Sequence, residues 1–385
     1  MTDLRVAPSA ALTVRSATAD DEAARCALFA RVTMDSDVVL SVRRDPDFDA
    51  LYRLQTDDWL SWVGQLDGRI EAMGTVLVRD GYVGGERRRI GYLGDLRLSR
   101  RAEGRLLLDR VFGPLLSEAA ERFGCDLFLS AVIASNTRAL RALTVRTARA
   151  ERGGRPVYTP LMDFDIRSLH LLAPRLRWGA GARDSVSVRR AADADVPRLA
   201  RLLDADGRRR PFGYVVSEGE LRRRLATWPG LHVESFYLAE RGDGELAGCI
   251  ALWDAAPVKR LVVTAYRGPM RRVRAGYAAA ARLLGAPPLP APGHAFRYLY
   301  VTHQAIPSDD PRILRALLDA AYADVRGKAY HFLSVCAPEG DPLAPALRGF
   351  LSTNLRARLY VVTLPGVTVP DACFAARPGF EMALV

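Results

Sequence analysis

The sequence predicts an α/β (α+β) protein of two similar domains, each a mixed, mainly antiparallel sheet flanked by helices. Three observations lead there. The stretch from Gly91 to Leu143 reads as strand, basic loop, long amphipathic helix, second strand and short helix. Ahead of it, strand-like runs are joined by turn signals, which makes that part of the sheet antiparallel. The order of elements then starts again near Val186, the mark of an internal duplication.

In chain order, Leu12 to Ser16 is the first strand, and Asp20 or Asp21 caps the helix that follows. A second helix is expected near Asp47 to Asp57. Leu60 to Leu66, Gly68 to Val78 and Arg89 to Leu98 are successive strands; Asp67-Gly68 is a hairpin signal and Tyr82 to Arg88 a looser turn. Leu93, Leu96 and Leu98 sit among β-compatible neighbours before the run breaks at Ser99 to Gly104. Leu107, Leu108, Val111, Phe112, Leu115, Leu116, Ala119 and Phe123 then recur at helical spacing, and Gly124 ends the helix. Asp126 to Ile133 suits a strand buried on both faces, and Val157 to Ile166 is the last strand of this half.

Residues 170–184 carry Pro, Gly and Arg without periodicity and read as a connector between a domain at 1–169 and one at 185–385. Beyond it, Val186 to Arg190 mirrors Thr13-Val14-Arg15, and Ala192 to Asp195 mirrors Thr18 to Asp21. Helices to Leu203 and at Glu218 to Thr227 precede strands at Ser235 to Glu240 and Glu245 to Trp253, which Asp243-Gly244 turns into a hairpin. Phe296 to Ile306 is a strand, Pro311 opens a helix ending at Gly327, and Tyr330 to Val335 is the strand after it. An insertion, 254–295, interrupts this half; its run Pro287 to Pro292 is a stiff, extended return path.

With 385 residues, 49% hydrophobic and 26% charged, there is material for two cores. No apolar run reaches membrane-spanning length and the N-terminal residues lack an apolar signal region, so a cytoplasmic protein that does not engage membrane is expected. Five scattered cysteines without a C-x-x-C pair argue for free thiols and against a metal site. The net charge of +11, nearly all of it arginine, suits an anionic partner such as the phosphates of a cofactor or an acidic substrate. Nucleic acid is disfavoured, because the basic run Arg271 to Arg274 has few aromatics interleaved and no reader motif.

The loop after Leu98 opens a helix, and free backbone N–H groups at such a place attract an anion. Arg100, Arg101 and Arg105 add guanidiniums suited to phosphate oxygens. The stretch resembles the core of the GCN5-related N-acetyltransferase (GNAT) superfamily. There a hydrophobic-x-hydrophobic strand end precedes a phosphate loop Arg/Gln-x-x-Gly-x-Gly/Ala, and a downstream Asn-x-x-Ala opens a short helix, as Asn136-Thr137-Arg138-Ala139 does here. One register of the loop gives Arg101-x-x-Gly104; the other puts Glu103 at the Arg/Gln position; both place Leu106 where a small residue is usual.

The resemblance implies a co-substrate, acetyl-CoA, and an N-acyltransferase that acts on a small-molecule or peptide amine by direct transfer in the N-terminal half. It assigns pantetheine to the backbone of Leu96, Arg97 and Leu98, and phosphate to Arg100, Arg101, Gly104, Arg105 and Leu106. Asn136 joins the cofactor-binding set, and Asp95 is the candidate base, with a pKa raised by an apolar cleft; the alternative is a structural Asp satisfied by neighbouring N–H groups or paired with Arg97. The tyrosine that usually follows the Asn-x-x-Ala helix is missing, leaving Tyr92 or Tyr158 as substitutes. In the second half, Ile306 to Pro311 lacks glycine and carries two carboxylates, so this half is expected to be degenerate; His303 on its strand is a base or a core histidine. Leu106 and the missing tyrosine also suit a non-catalytic acyl-CoA sensor or partner-binding protein. Thr33 to Asp58 and the insertion are expected to shape the acceptor pocket.

Overall fold

The computed structural model describes residues 13–34, 37–102, 112–144, 155–172 and 186–385. Its first half runs β1 (Thr13–Ser16), α1 (Glu22–Arg31), β2 (Val38–Arg43), α2 (Ala50–Arg53), β3 (Trp59–Leu66), β4 (Arg69–Val83), β5 (Glu86–Leu98), α3 (Phe112–Phe123), β6 (Leu127–Ile133), α4 (Thr137–Thr144) and β7 (Val157–His170). The second runs β8 (Ser187–Arg190), α5 (Val196–Arg209), β9 (Gly213–Tyr214), α6 (Glu218–Thr227), β10 (Phe236–Glu240), β11 (Leu246–Trp253), β12 (Arg260–Tyr266), α7 (Met270–Leu284), β13 (Tyr298–Ala305), α8 (Pro311–Val325), β14 (Phe332–Pro338) and β15 (Ser352–Thr363).

The duplication is visible down to single bonds. Asp21 ahead of α1 accepts from Thr18 N at 2.8 Å and pairs with Arg15 at 2.6 Å. Asp195 ahead of α5 accepts from Ala192 N at 2.9 Å and pairs with Arg189 at 2.6 Å. Each carboxylate ties off a helix start and clips it to the strand before it.

Among the described residues one sheet has the order β1-β3-β4-β5-β6-β15-β7-β14-β13-β11-β10-β8, with β9 on β4. Only β5–β6 and β13–β14 pair in parallel. The order is symmetric about its centre, where the halves exchange their last strands: β15 lies against β6, and β7 against β14. The exchanged strands also pair with each other from Ser352↔Leu169 to Thr363↔Val157. One core cluster therefore takes Leu127 and Phe164 from the first half together with Leu238, Trp253 and Leu359 from the second.

A second bridge sits outside this sheet. β12 of the insertion pairs antiparallel with β2, from Arg260↔Arg43 to Tyr266↔Val38. The return path of prolines is anchored by Tyr266 Oη, which donates to Pro290 O at 2.8 Å, and by His331 Nε2 at 3.1 Å from Pro288 O.

Several expected bounds change. The second helix is a single turn, Ala50–Arg53, not the span from Asp47 to Asp57. The looser turn at Tyr82 to Arg88 is a tight one, because Gly84 and Gly85 take φ of +61° and +80° and let β4 and β5 continue to Val83 and from Glu86. β7 runs past Ile166, so His170, placed in the connector, instead pairs with Phe332. Gly104, Arg105, Leu106 and the first turns of the predicted long helix lie outside the described residues.

Because β7 and β15 each complete the other half's sheet, the halves should unfold together. Equilibrium unfolding in urea, followed by far- and near-ultraviolet circular dichroism, is expected to give one coincident transition. Leu359→Ala, on a fully buried residue of β15, is expected to move that whole transition by about 2–5 kcal/mol rather than split it.

Candidate functional site

The site begins with a broken ladder. β5 pairs with β4 through Gly94↔Thr75 and resumes at Arg97↔Met73, so Asp95 and Leu96 together oppose Gly74. This is a β-bulge, and Asp95 takes the left-handed conformation, φ +55°. On the other edge, β5 pairs with β6 only over Ile90↔Leu127 to Tyr92↔Leu129, although β6 runs on to Ile133. The strands diverge from there, and Ser130 Oγ spans the start of the gap by donating to Leu93 O at 3.2 Å.

The gap opens into a cavity of about 340 Å³. Its walls include Leu93 to Leu98 of β5, Ser130 to Ile133 of β6, Leu115 and Leu116 of α3, and Asn136, Ala139 and Leu143 around α4. Met382, Leu384 and Val385 close it from the C-terminal segment, which is held in place by Lys259 Nζ, donating to Ala383 O at 2.9 Å and Val385 O at 2.6 Å.

Three charged side chains line the cavity: Arg44, Asp95 and Arg97. Asp95 is held by Arg44, whose two terminal nitrogens donate at 2.7 and 3.2 Å, and by the hydroxyl of Tyr52 at 2.5 Å. Tyr52 Oη is also 3.1 Å from Thr75 Oγ1, which is 3.0 Å from Ser61 Oγ; Arg25 donates to Ser61 at 3.2 Å and pairs with Asp49. A chain of buried and partly buried polar groups thus links the segment just after β2 with α2, β5, β4, β3 and α1. The expected rise in the Asp95 pKa is not found. Burial pushes it up, but the charges of Arg44 and Arg97 and the Tyr52 hydrogen bond outweigh burial and hold the carboxyl below its ordinary value. Its ion-pair partner is Arg44; Arg97, the pairing that the sequence offered as a structural alternative, acts on it through charge and makes no ion pair with it.

Leu96, Arg97, Leu98 and Asn136 line the same cavity as Asp95. Asn136 Oδ1 accepts from Ala139 N at 3.1 Å, so the Asn-x-x-Ala motif is a helix cap. Arg100 is exposed, and Arg101 turns away to Asp67 at 2.5 Å and Glu71 at 3.5 Å. Tyr92 and Tyr158 both line the cavity, and burial raises both phenols above their ordinary value. Among the described residues no group of three or more potential metal ligands occurs, and no helix is long and apolar enough to cross a membrane.

No protein-family model matches the sequence and no curated protein matches it. Solved structures do. Saccharomyces cerevisiae N-myristoyltransferase with bound myristoyl-CoA superposes with a TM-score of 0.56 at 11% identity, over 94% of this chain and 81% of that one. A GCN5-related N-acetyltransferase from Sphaerobacter thermophilus gives 0.53 at 14% identity, over 93% of this chain and 98% of that one. The chain has the GNAT fold. A GCN5-related glucosamine N-acetyltransferase region of a fungal multi-domain β-N-acetylglucosaminidase gives 0.58 at 12% identity, over 93% of this chain and 38% of that one.

The second GNAT-like half carries the same device at a different residue. His303 of β13 takes φ +48°, matching Asp95, but it is buried against Trp228 and Phe236 with Nε2 3.2 Å from Arg224. Burial, with Arg224 beside it, holds the imidazole well below its ordinary pKa. The helix after it is capped by Asp310, which accepts from Arg312 N at 2.9 Å.

Sequence reasoning did not find Arg44, Tyr52 or the segment from Met382 to Val385. Arg44 and Asp95 are separated by 51 positions, and no periodicity links them. Removing one partner of a buried pair leaves the other uncompensated, so Arg44→Gln should cost about 3 kcal/mol at pH 7. The sign can be followed with pH. In the wild type the lowered Asp95 pKa stabilises the fold above about pH 4, and that stability fades as pH falls further. Without Arg44 burial dominates and the pKa rises, so the variant should regain stability between pH 7 and pH 5. Urea midpoints at both pH values check this; an equal loss at both would exclude Asp95 as the group responsible.

Proposed function

We propose that the chain is an acyl-CoA-dependent N-acyltransferase that moves an acyl group, acetyl in the simplest case, directly to a primary amine. The observation that carries this reading is the divergence of β5 from β6 beside the bulge at Asp95. It leaves a strand edge along Leu93 to Leu98 without a ladder partner among the described residues, next to a cavity that reaches the buried charges. An extended pantetheine would occupy that edge as an added strand along Leu96, Arg97 and Leu98. Phosphate would be met by the loop of Arg100, Gly104, Arg105 and Leu106, with Asn136 near the same end. Arg101 contributes less, since Asp67 and Glu71 already answer its charge.

In the step itself, the amine nitrogen attacks the thioester carbon, and a backbone N–H of the bulged strand stabilises the oxygen as it gains charge, an effect commonly worth about 3 kcal/mol. The carbon–sulfur bond then breaks, the amine loses a proton and the departing thiolate gains one. Tyr92 and Tyr158 are neutral phenols able to supply it. Asp95, kept ionised by Arg44, is too weak a base to be matched to neutral pH; its role here is to orient the incoming amine, whose proton leaves to water. The second half supplies structure and the acceptor-side wall, through β12 and the segment held by Lys259.

Calorimetry of acetyl-CoA binding and release of CoA thiol with a panel of amines test the reading. Saturable binding and thiol release are expected; no binding at millimolar acetyl-CoA would sink it, and binding with no turnover on any amine would leave a sensor. The pH profile separates the roles of Asp95. kcat/KM should climb with pH only through ionisation of the amine, with no step between pH 5 and 7. A step in that window that disappears in Asp95→Asn would make Asp95 the general base instead.

A further inference from the structure

The side-chain charges lining the cavity do not balance. They are two guanidiniums, Arg44 and Arg97, and one side-chain carboxylate, Asp95, which Arg44 already engages with both terminal nitrogens; the main-chain oxygen of Val385 is taken by Lys259. Arg97 is left over. Among the described residues its only hydrogen bond runs from one terminal nitrogen to the neighbouring Leu96 O at 3.1 Å, and none of their carboxylates lies within ion-pair distance of it. The buried Nε atoms of Arg97 and Arg44 both lack partners. Burial pushes the Arg97 guanidinium below its ordinary pKa, Asp95 opposes this, and Arg44 adds to it, yet an arginine stays charged.

Where this charge points decides what it meets. Alternate residues of β3 and β4 face opposite sides: Trp62 and Val76 pack with Leu116 and Ala119 of α3, whereas Val63, Met73 and Leu77 pack with Phe29 and Tyr52 of α1 and α2. Arg97 lies over the Phe29 ring at 4.4 Å and Arg44 over the same ring at 5.1 Å. Both therefore face the α1/α2 side, across the sheet from α3.

We infer that this side takes an acceptor amine that also carries an anionic group, a carboxylate or a phosphate, bound by Arg97 and the free edge of Arg44. A desolvated cation with donors to spare is answered by an anion of the ligand, and a guanidinium suits either oxyanion. Cationic polyamines should be poor acceptors, since Asp95 is already neutralised. This inference rests on the transferase reading for the word acceptor, but the anion site can be tested without turnover.

The full-length protein, saturated with CoA, is titrated calorimetrically in low-chloride buffer with matched pairs: tyrosine and tyramine, phosphoethanolamine and ethanolamine. Thiol release from acetyl-CoA is measured with the same four, and succinyl-CoA is compared with butyryl-CoA as donor. At least ten-fold tighter binding and ten-fold higher kcat/KM are expected for one acidic member over its neutral partner; which pair shows it separates carboxylate from phosphate. In Arg97→Gln the acid-to-neutral ratio should collapse toward one, and Arg97→Lys should retain part of it, with circular dichroism reporting that both variants fold. Equal ratios in wild type and Arg97→Gln would overturn the inference, as would preference for the neutral members. Preference for succinyl-CoA without acceptor preference would move the anion onto the acyl group and also overturn it. Acid-selective binding lost in Arg97→Gln, with no thiol release on any amine, would keep the anion site and end the transferase reading.

Discussion

A parallel ladder that stops after three residue pairs is the constraint on which the site depends. β5 and β6 are neighbours from Ile90 to Tyr92 and separate afterwards, because β5 carries two residues where β4 has one. Once Asp95 takes a left-handed backbone, the strand bends and its far end cannot return to β6. Backbone groups that would otherwise be shared between strands are then exposed to a cavity, and side chains on either side of the bulge are redirected. Gly91, just before the divergence, allows the closest approach: a Cβ there would lie 2.1 Å from the Phe128 ring.

Electrostatics follow from that backbone. A carboxylate at a bulge inside the protein must be matched, and Arg44 does so from beyond the end of β2, with Tyr52 closing the third side. The hydroxyls of Thr75 and Ser61 carry the network on to Arg25 and Asp49, so the helices that cover the sheet are oriented by the same polar chain that holds Asp95. Matching one carboxylate with one guanidinium leaves Arg97 without an ion pair among the described residues, its guanidinium lying over the face of Phe29.

The rest of the molecule frames this region from a distance. Strand exchange at β7 and β15 makes one sheet of two similar halves, and β2–β12 ties the insertion to the segment that provides Arg44. The second half keeps the backbone device, a left-handed residue on the strand before the helix, but fills the space with Trp228, Phe236 and His303. Lys259, one of the two lysines in the sequence, reaches from the start of β12 to the segment that closes the cavity. Much of the surplus arginine is spent locally, as in the pairs of Arg189 with Asp195 and Glu240.

The element order, the duplication and the strand from Gly91 to Leu98 were legible in the residues, because alternation, helical spacing and turn chemistry act over a few positions. The repeat of Thr18 to Asp21 at Ala192 to Asp195 is such a signal, and so is the cap at Asn136. The family resemblance also grouped Asp95, Leu96, Arg97, Leu98 and Asn136 into one candidate site, and all five line the same cavity. It could not say that Asp95 answers to Arg44, that the last strands trade places, or that Met382 to Val385 closes the cavity. Those outcomes depend on which segments meet across the sheet, and burial, charge matching and strand pairing between distant positions leave no periodic trace in a single chain.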